Sequence, residues 1–318
     1  MSDLSGSVKA GATAQARKGR KPKDLNAISP FWNFVFSTGV GLFALSCVFP
    51  FLFIIIISFT DEKTLAIEGF SLVPSQLSTA SYRFLMNSGQ QLLQSFGVTL
   101  LVTVLGTLLT LYLVATYAYA LSRKSFEQRR FFSFLAFFTM LFSGGLVPSY
   151  IVVTQFLHLR DSIWALILPS VLNAFYILVM RTFFSTTVPD AIVESAKMDG
   201  ATEFGVFTRI VLPISLPGIA TIGLFSTLAF WNDWFNALLY IDKPTLIPLQ
   251  TMLMRIQNNM DFVVQNSSKV VSYDIAASLP TETVRMAMVV LATLPIALAY
   301  PFFQKYFIQG LTIGSVKE

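Results

Sequence analysis

Two short stretches hold most of the chemistry this chain can offer. "ESAKMDGATEFG", residues 194–205, places Glu194, Lys197, Asp199 and Glu203 close together and punctuates them with Gly200 and Gly205. "FWNDWFN", residues 230–236, gathers Trp231, Asn232, Asp233, Trp234 and Asn236. The first is a compact set of ionic groups around a turn, suited to recognising another surface. The second offers flat indole faces for stacking and amides for hydrogen bonding. Neither assembles a catalytic group. One His (His158) and one Cys (Cys47) exclude a His cluster, a Cys-based metal site and a disulfide framework. No G-x-x-x-x-G-K-[ST] phosphate loop occurs, so no nucleotide site is expected on this chain. We expect no catalytic residues, no metal and no bound cofactor.

The elements that must position these stretches are apolar. Of the 318 residues, 54% are hydrophobic and 12% charged, where soluble domains run nearer a quarter charged. That balance, with 31 Phe, points to an integral membrane protein. The net charge of +5 sits beside apolar runs and fits anionic lipid head groups rather than nucleic acid. A spanning helix needs about 20 mainly apolar residues. Six segments qualify, at about 34–59, 92–121, 131–157, 163–184, 215–241 and 284–304. Their runs are continuous rather than alternating, which excludes a β-barrel. Prolines inside them are tolerated where neighbouring helices satisfy the freed backbone groups. Residues 1–30 read as a basic cytoplasmic tail without order. The apolar run after it is too long for a cleaved signal peptide.

Lysine and arginine orient the chain. With the N-terminus inside, the inner segments carry six, four, three and two of them, against two, one and three outside. Both termini are then cytoplasmic, and 194–205 lies in a cytoplasmic loop, 185–214. The loop 242–283 lies outside, with 246–256 an amphipathic surface helix and 258–269 a polar excursion.

Within the cytoplasmic loop, Pro189 suits a first helical position ahead of "DAIVESAKM". Ile192 and Ala196 share a face, with Val193 beside it. Asp199–Gly200 ends that helix, and Asp199 can cap a second one that sets Phe204, Phe207 and Val211 in one stripe. Pro213 and Pro217 end the second helix. The product is a short helix-turn-helix with too few apolar knobs for a core. It either floats at the membrane surface or docks into a partner's groove.

The segment "ESAKMDGATEFGVFTRIVLPISLP", residues 194–217, resembles the EAA loop of bacterial ABC-importer permeases. Glu194, Ala196, Asp199, Gly200, Ala201, Phe207, Ile210, Leu212 and Pro213 match, and Ser195 stands where the family usually has Ala. "LFSGGLVPSYIV" (141–152), "DSIWALILPSVLNAFYILVMRTFF" (161–184), "FWNDWFNALLYI" (230–241) and "FFQKYFIQGLTIGSVKE" (302–318) resemble the carbohydrate branch related to the maltose permease G subunit, nearest its LplC-like subgroup. The resemblance implies an all-α membrane protein with six transmembrane helices in the type I importer permease fold, over residues 31–318. It implies residence in the bacterial cytoplasmic membrane, as a multi-pass protein that is not an enzyme. Its implied partners are a second permease subunit, an ATP-binding subunit dimer that holds ATP and Mg, and an extracytoplasmic solute-binding protein. The implied cargo is a carbohydrate, with long oligosaccharides, including acidic ones such as alginate, as candidates.

By the same resemblance, Glu194, Ser195, Ala196, Asp199, Gly200, Ala201, Phe204, Phe207, Leu212 and Pro213 couple the permease to the ATPase. The outer loop reaches toward the binding protein's sugar site, and the tail 310–318 enters the ATPase interface. Asp233 lies about 27 Å along the fifth span, in the outer third of the membrane. Trp231 and Trp234 can stack on sugar rings, and Asn232 and Asn236 can bond hydroxyls. The alternative is an outer aromatic belt, with Asp233 paired to Lys243 or Arg285. "SGGLVPSY" in the third span has the composition of a broken helix, which lines a cavity or allows close packing. His158 and Asp161 read as a structural outer turn. The different class of protein to set against all this is a stand-alone secondary transporter or channel. It calls for ion-coupling carboxylates within the spans, where little beyond Asp233 is found.

Overall fold

A computed structural model describes residues 29–87, 89–265 and 281–315, the side chains of 264, 303 and 306–315 excepted. The expected tail 1–30 therefore falls almost wholly outside the described residues, as do 266–269 of the polar excursion and the end of the C-terminal tail. The chain divides into two compact units, Met1–Leu52 and Phe53–Glu318. The described part of the first is most of one helix, α1 (Pro30–Ser58), with Pro50 inside it.

The second unit is built from helices throughout. They are α2 (Glu62–Glu68), α3 (Ala80–Met86), α4 (Gly89–Ser122), α5 (Arg129–Leu141), α6 (Leu146–Ile151), α7 (Ile163–Val171), α8 (Ala174–Thr187), α9 (Asp190–Met198), α10 (Glu203–Val206), α11 (Leu212–Ile214), α12 (Leu216–Trp231), α13 (Phe235–Tyr240), α14 (Leu249–Gln265) and α15 (Thr281–Ser315). Wider π turns extend α6 over Val152–Phe156 and join α10 to α11 over Phe207–Val211. Among the described residues β pairing amounts to one isolated antiparallel bridge, Thr60–Leu77.

Among the described residues three helices, at Pro30–Ser58, Gly89–Ser122 and Thr281–Phe302, are long and apolar enough to cross a membrane. Three bent pairs complete the possible set of six. Arg129–Leu141 and Leu146–Phe156 meet at 113°, Ile163–Val171 and Ala174–Thr187 at 52°, and Glu203–Ile214 and Leu216–Trp231 at 81°. The first bend falls inside "SGGLVPSY", where Gly145 has φ +86°, a conformation that a Cβ disfavours. At the second, Asn173 accepts from the Phe175 N–H at 2.9 Å and starts α8 afresh. The expected fifth span, 215–241, is α12 and α13 with a break over 232–234.

The bends contrast with α4. It holds 34 residues without a proline, about 50 Å of helix at 1.5 Å per residue. Two buried cores form along it. One gathers Val114, Ala118 and Leu121 with Met180 and Phe184 of α8. The other gathers Val98 and Val102 with Ile167 of α7, Trp231, Leu253 of α14 and Ala287 of α15. Between them Gly106 meets Phe230 of α12; a Cβ there would lie 2.7 Å from the ring. This close approach is what the glycine permits.

The segment expected as a surface helix, 246–256, is a correction. Leu249, Met252 and Leu253 are buried in the second core, and the helix continues through the expected polar excursion to Gln265, with Met260 also buried. The amphipathic pattern is present, but its apolar face meets protein rather than lipid.

Candidate functional site

The segment 189–214 folds as a hairpin whose turn follows from its sequence. Pro189 precedes the helix and Asp190 opens it, its carboxylate favoured at a helix N-terminus. At the other end the Gly200 N–H donates to Lys197 O at 3.0 Å and the Ala201 N–H to Ala196 O at 3.0 Å. This pair of bonds is the Schellman motif, with Gly200 in the left-handed position at φ +85°. Ala196, Asp199, Gly200 and Ala201 are thus one C-terminal stop signal. Asp199 ends α9, its N–H donating to Ser195 O at 3.0 Å. It does not cap the next helix. That role falls to Thr202, whose hydroxyl accepts from the Gly205 N–H at 3.1 Å.

The expected apolar stripe is also corrected. Phe207 and Val211 are buried, but Phe204 is 68% exposed and Val206 takes its place inside. The π turn over Phe207–Val211 adds a residue to the turn and shifts the phase of the helix. On the first arm Val193 faces inward, while Ile192 is exposed. These side chains enter the core formed by α4 and α8, and the Phe207 ring lies 5.0 Å from that of Tyr119. The hairpin therefore does not float. Its base is packed, and its outer face presents Met198 (83% exposed), Phe204 and Glu194. Ser195 and Ala201 are exposed beside them, Ala196 and Leu212 are half-buried, and Pro213 is exposed in α11.

Polar bonds tie both arms of the hairpin to α4 and the loop after it. Asp190 accepts from Lys124 at 2.8 Å and lies 3.6 Å from Arg123. The Lys124 hydrogen bond holds the Asp190 carboxyl below its ordinary value, with the charges of Lys124 and Arg123 adding to it. Arg123 is 6% exposed, donates to Ser122 Oγ at 3.0 Å and sits 5.3 Å above the Tyr119 ring. On the other arm Glu203 pairs with Lys197 across the turn and accepts from the Tyr119 hydroxyl at 3.1 Å. The Lys197 hydrogen bond, then that of Tyr119, lowers the Glu203 carboxyl below its ordinary value. Arg123 and Tyr119 are the residues that sequence reasoning missed. They lie more than 60 positions from their partners, beyond any local pattern.

The second stretch divides. Trp231 is 4% exposed; its Nε1 donates to Ala292 O at 2.9 Å and its ring meets Phe96 edge-on. The indole is occupied by packing. Asp233 pairs with neither Lys243 nor Arg285. Its Oδ1 accepts from the Phe235 and Asn236 N–H groups, both at 3.1 Å, and its Oδ2 from the Asn236 amide at 2.6 Å, so it caps α13. Asn236 also reaches Ser170 at 3.0 Å, and Asn232 accepts from Gln250 at 3.3 Å. Trp234 and Asn232 are exposed. Trp234 is the exposed indole. It lines a cavity of about 420 Å³ with Gln250, Met254, Gln257, Arg285 and Met288. Arg285 is paired with Asp261 and, at 2.5 Å, with Glu282.

The turn at 157–162 is structural. His158 and Asp161 have φ of 51° and 57°. Asp161 Oδ1 accepts from the Asp242 and Lys243 N–H groups at 2.7 and 2.8 Å, which joins this turn to the one after α13. Among the described residues, no group of three His, Cys, Asp or Glu side chains is arranged to hold a metal.

Comparison with known proteins places these features. Residues 129–313 match the family described as "Binding-protein-dependent transport system inner membrane component". The chain is 40% identical over 276 residues to the polygalacturonan/rhamnogalacturonan transport system permease protein YtcP of Bacillus subtilis, covering 87% of this chain and 94% of that one. It is 40% identical over 285 residues to protein LplC of the same organism, covering 90% and 93%. Its fold is similar to a solved bacterial ABC transporter involved in import of the acidic polysaccharide alginate, with a TM-score of 0.72 and 28% identity over 87% of this chain and 96% of that one.

Proposed function

This chain belongs to the family of inner membrane components of binding-protein-dependent transport systems, and from that premise we propose that it is the permease subunit of an oligosaccharide importer, driven through the hairpin 189–214. The multi-pass chain resides in the inner membrane and serves carbohydrate import. It is a transport subunit, not an enzyme. A separate ATPase dimer binds ATP and Mg, a second permease completes the pathway, and an extracytoplasmic binding protein delivers the sugar. Six spans with both termini in the cytoplasm place the hairpin on the ATPase side.

The observation that carries this reading is the division of the hairpin into a packed base and an exposed face. Val193, Val206, Phe207 and Val211 fix it to the core, while Met198, Phe204 and Glu194 face outward. A helix end that presents apolar anchors beside a charge suits insertion into a groove. ATP-driven closure of the ATPase then moves the hairpin, and the helices alternate between inward and outward access. On the other side of the membrane, Trp234 and the cavity it lines with Gln250 and Gln257 offer a stacking face and amides to a passing sugar.

The test is reconstitution with the partner subunits. Gly200→Asp in the turn and Glu194→Lys on the exposed face are expected to leave insertion intact and to uncouple ATP hydrolysis from uptake. Wild-type uptake by both variants would refute the docking role.

A further inference from the structure

The hairpin is fastened to one end of α4, and α4 is fastened to α14 ten residues in from its other end. Tyr119 Oη donates to Glu203 Oε2 at 3.1 Å at the hairpin. Thr99 Oγ1 accepts from the Leu249 N–H at 2.7 Å, at the first turn of α14, where no intrahelical partner exists for that N–H. Both α4 residues are buried, Thr99 almost completely. Twenty residues of helix separate them, about 30 Å. Directional bonds at both ends matter because apolar contacts alone allow one surface to slide over another, whereas a hydrogen bond weakens steeply when misaligned.

The intervening helix is stiff. It carries no proline and no break, while the paths through α5–α6, α7–α8 and α11–α12 are interrupted by bends of 113°, 52° and 81°. Gly106 seats Phe230 against the middle of α4, so the helix has close support along its length.

We infer that α4 acts as a rod between the hairpin and α14, and that Tyr119, Glu203 and Thr99 are positioning residues that fasten its ends. The inference rests on the reading of the hairpin as the ATPase dock. Motion at the dock reaches the opposite side of the membrane by this one element, and the same element carries influence in the reverse direction.

The experiment uses the assembled complex, with both permeases, the ATPase dimer and the binding protein, and ATP plus vanadate as the probe. With Cys47→Ser as background, one fluorophore is placed on exposed Ala191 through Ala191→Cys, and in a separate preparation on exposed Asn258 of α14 through Asn258→Cys. In the otherwise unaltered complex both reporters respond. Tyr119→Phe, Glu203→Gln or Thr99→Val each leave the Ala191 response in place and lower the Asn258 response about threefold to tenfold, the weight of one hydrogen bond. Thr99→Ser retains the Asn258 response, which a simple loss of packing would not predict.

The combination Tyr119→Phe with Thr99→Val lowers the Asn258 response no further than either alone. Sites this far apart otherwise act independently, so their effects would multiply. A full Asn258 response in the single variants, or multiplying effects in the combination, overturns the rod while leaving the dock intact. An Ala191 reporter that ignores ATP plus vanadate in the unaltered complex overturns the dock, and the rod with it.

Discussion

The two ends of α4 hold their neighbours by different chemistry. At the hairpin, side chains bond to side chains: Asp190 to Lys124 and Arg123, Glu203 to Lys197 and Tyr119. At the opposite end, side chains bond to backbone. Thr99 takes the Leu249 N–H, Trp231 gives to Ala292 O, and Asp161 takes the N–H groups of 242 and 243. Glu62 takes the N–H groups of Glu282 and Thr283, both at 3.0 Å, together with the hydroxyls of Thr281 and Thr283. The exposed pairs among them, Asp190 with Lys124 and Glu203 with Lys197, contribute little and release easily. The Thr99 and Trp231 bonds are buried and costly to lose, because the orphaned group stays buried, while those of Glu62 are half-buried and those of Asp161 exposed. The outer ion pairs of the hairpin can be re-partnered while its packed base and the Tyr119–Glu203 bond hold, and the opposite end stays assembled.

That difference can be broken from either side. The largest effect expected is Trp231→Ala, which removes a buried indole and its hydrogen bond to Ala292 O. It should lower unfolding stability by about 3–5 kcal/mol, read from thermal or denaturant unfolding in detergent. Glu62→Ala should cost about 1–2 kcal/mol by stripping the cap of α15. An unchanged midpoint would erase the distinction between the ends.

Next comes a dependence on pH at the hairpin. Asp190 and Glu203 have lowered carboxyl values, so their ties stabilise the hairpin above the ordinary values of 3.8 and 4.5 and fade as pH falls through the lowered ones. Hydrogen exchange over 190–206, corrected for the intrinsic pH dependence of amide exchange, should be flat from neutral pH to about 5 and quicken below about 4. Equal quickening at α15 would contradict the contrast. The smallest effect is Arg160→Ala, which removes an exposed pair with Asp242 and should leave the unfolding midpoint unmoved, whereas Asp161→Ala beside it should lower the midpoint.

The same contrast explains what was legible in the sequence. Apolar runs mark the membrane-crossing segments, since length and hydropathy are local properties. The stop at Gly200 and the break at "SGGLVPSY" were legible too, because a left-handed position calls for glycine. Thr202 rather than Asp199 as the cap, and the burial of Val206 in place of Phe204, were not. A π turn changes the period, and a helical wheel assumes that the period is constant. Trp231 and Trp234 look alike in the sequence, three residues apart. One points into the core and the other into a cavity because the helix ends between them. Glu62, Thr99 and Tyr119 carry no local signal at all, since their partners lie 84 to 221 positions away.

The Glu62 cap has a consequence for how the molecule is made. It joins residues 219 to 221 positions apart, so the carboxylate waits while the intervening chain is synthesised. At roughly 5–20 residues per second that delay is about 10–45 s. Through it, the start of α2 carries an acceptor whose donors have yet to leave the ribosome. Closing that bond is a late step of biogenesis, and a chain cut short of Thr281 would remain permanently open there.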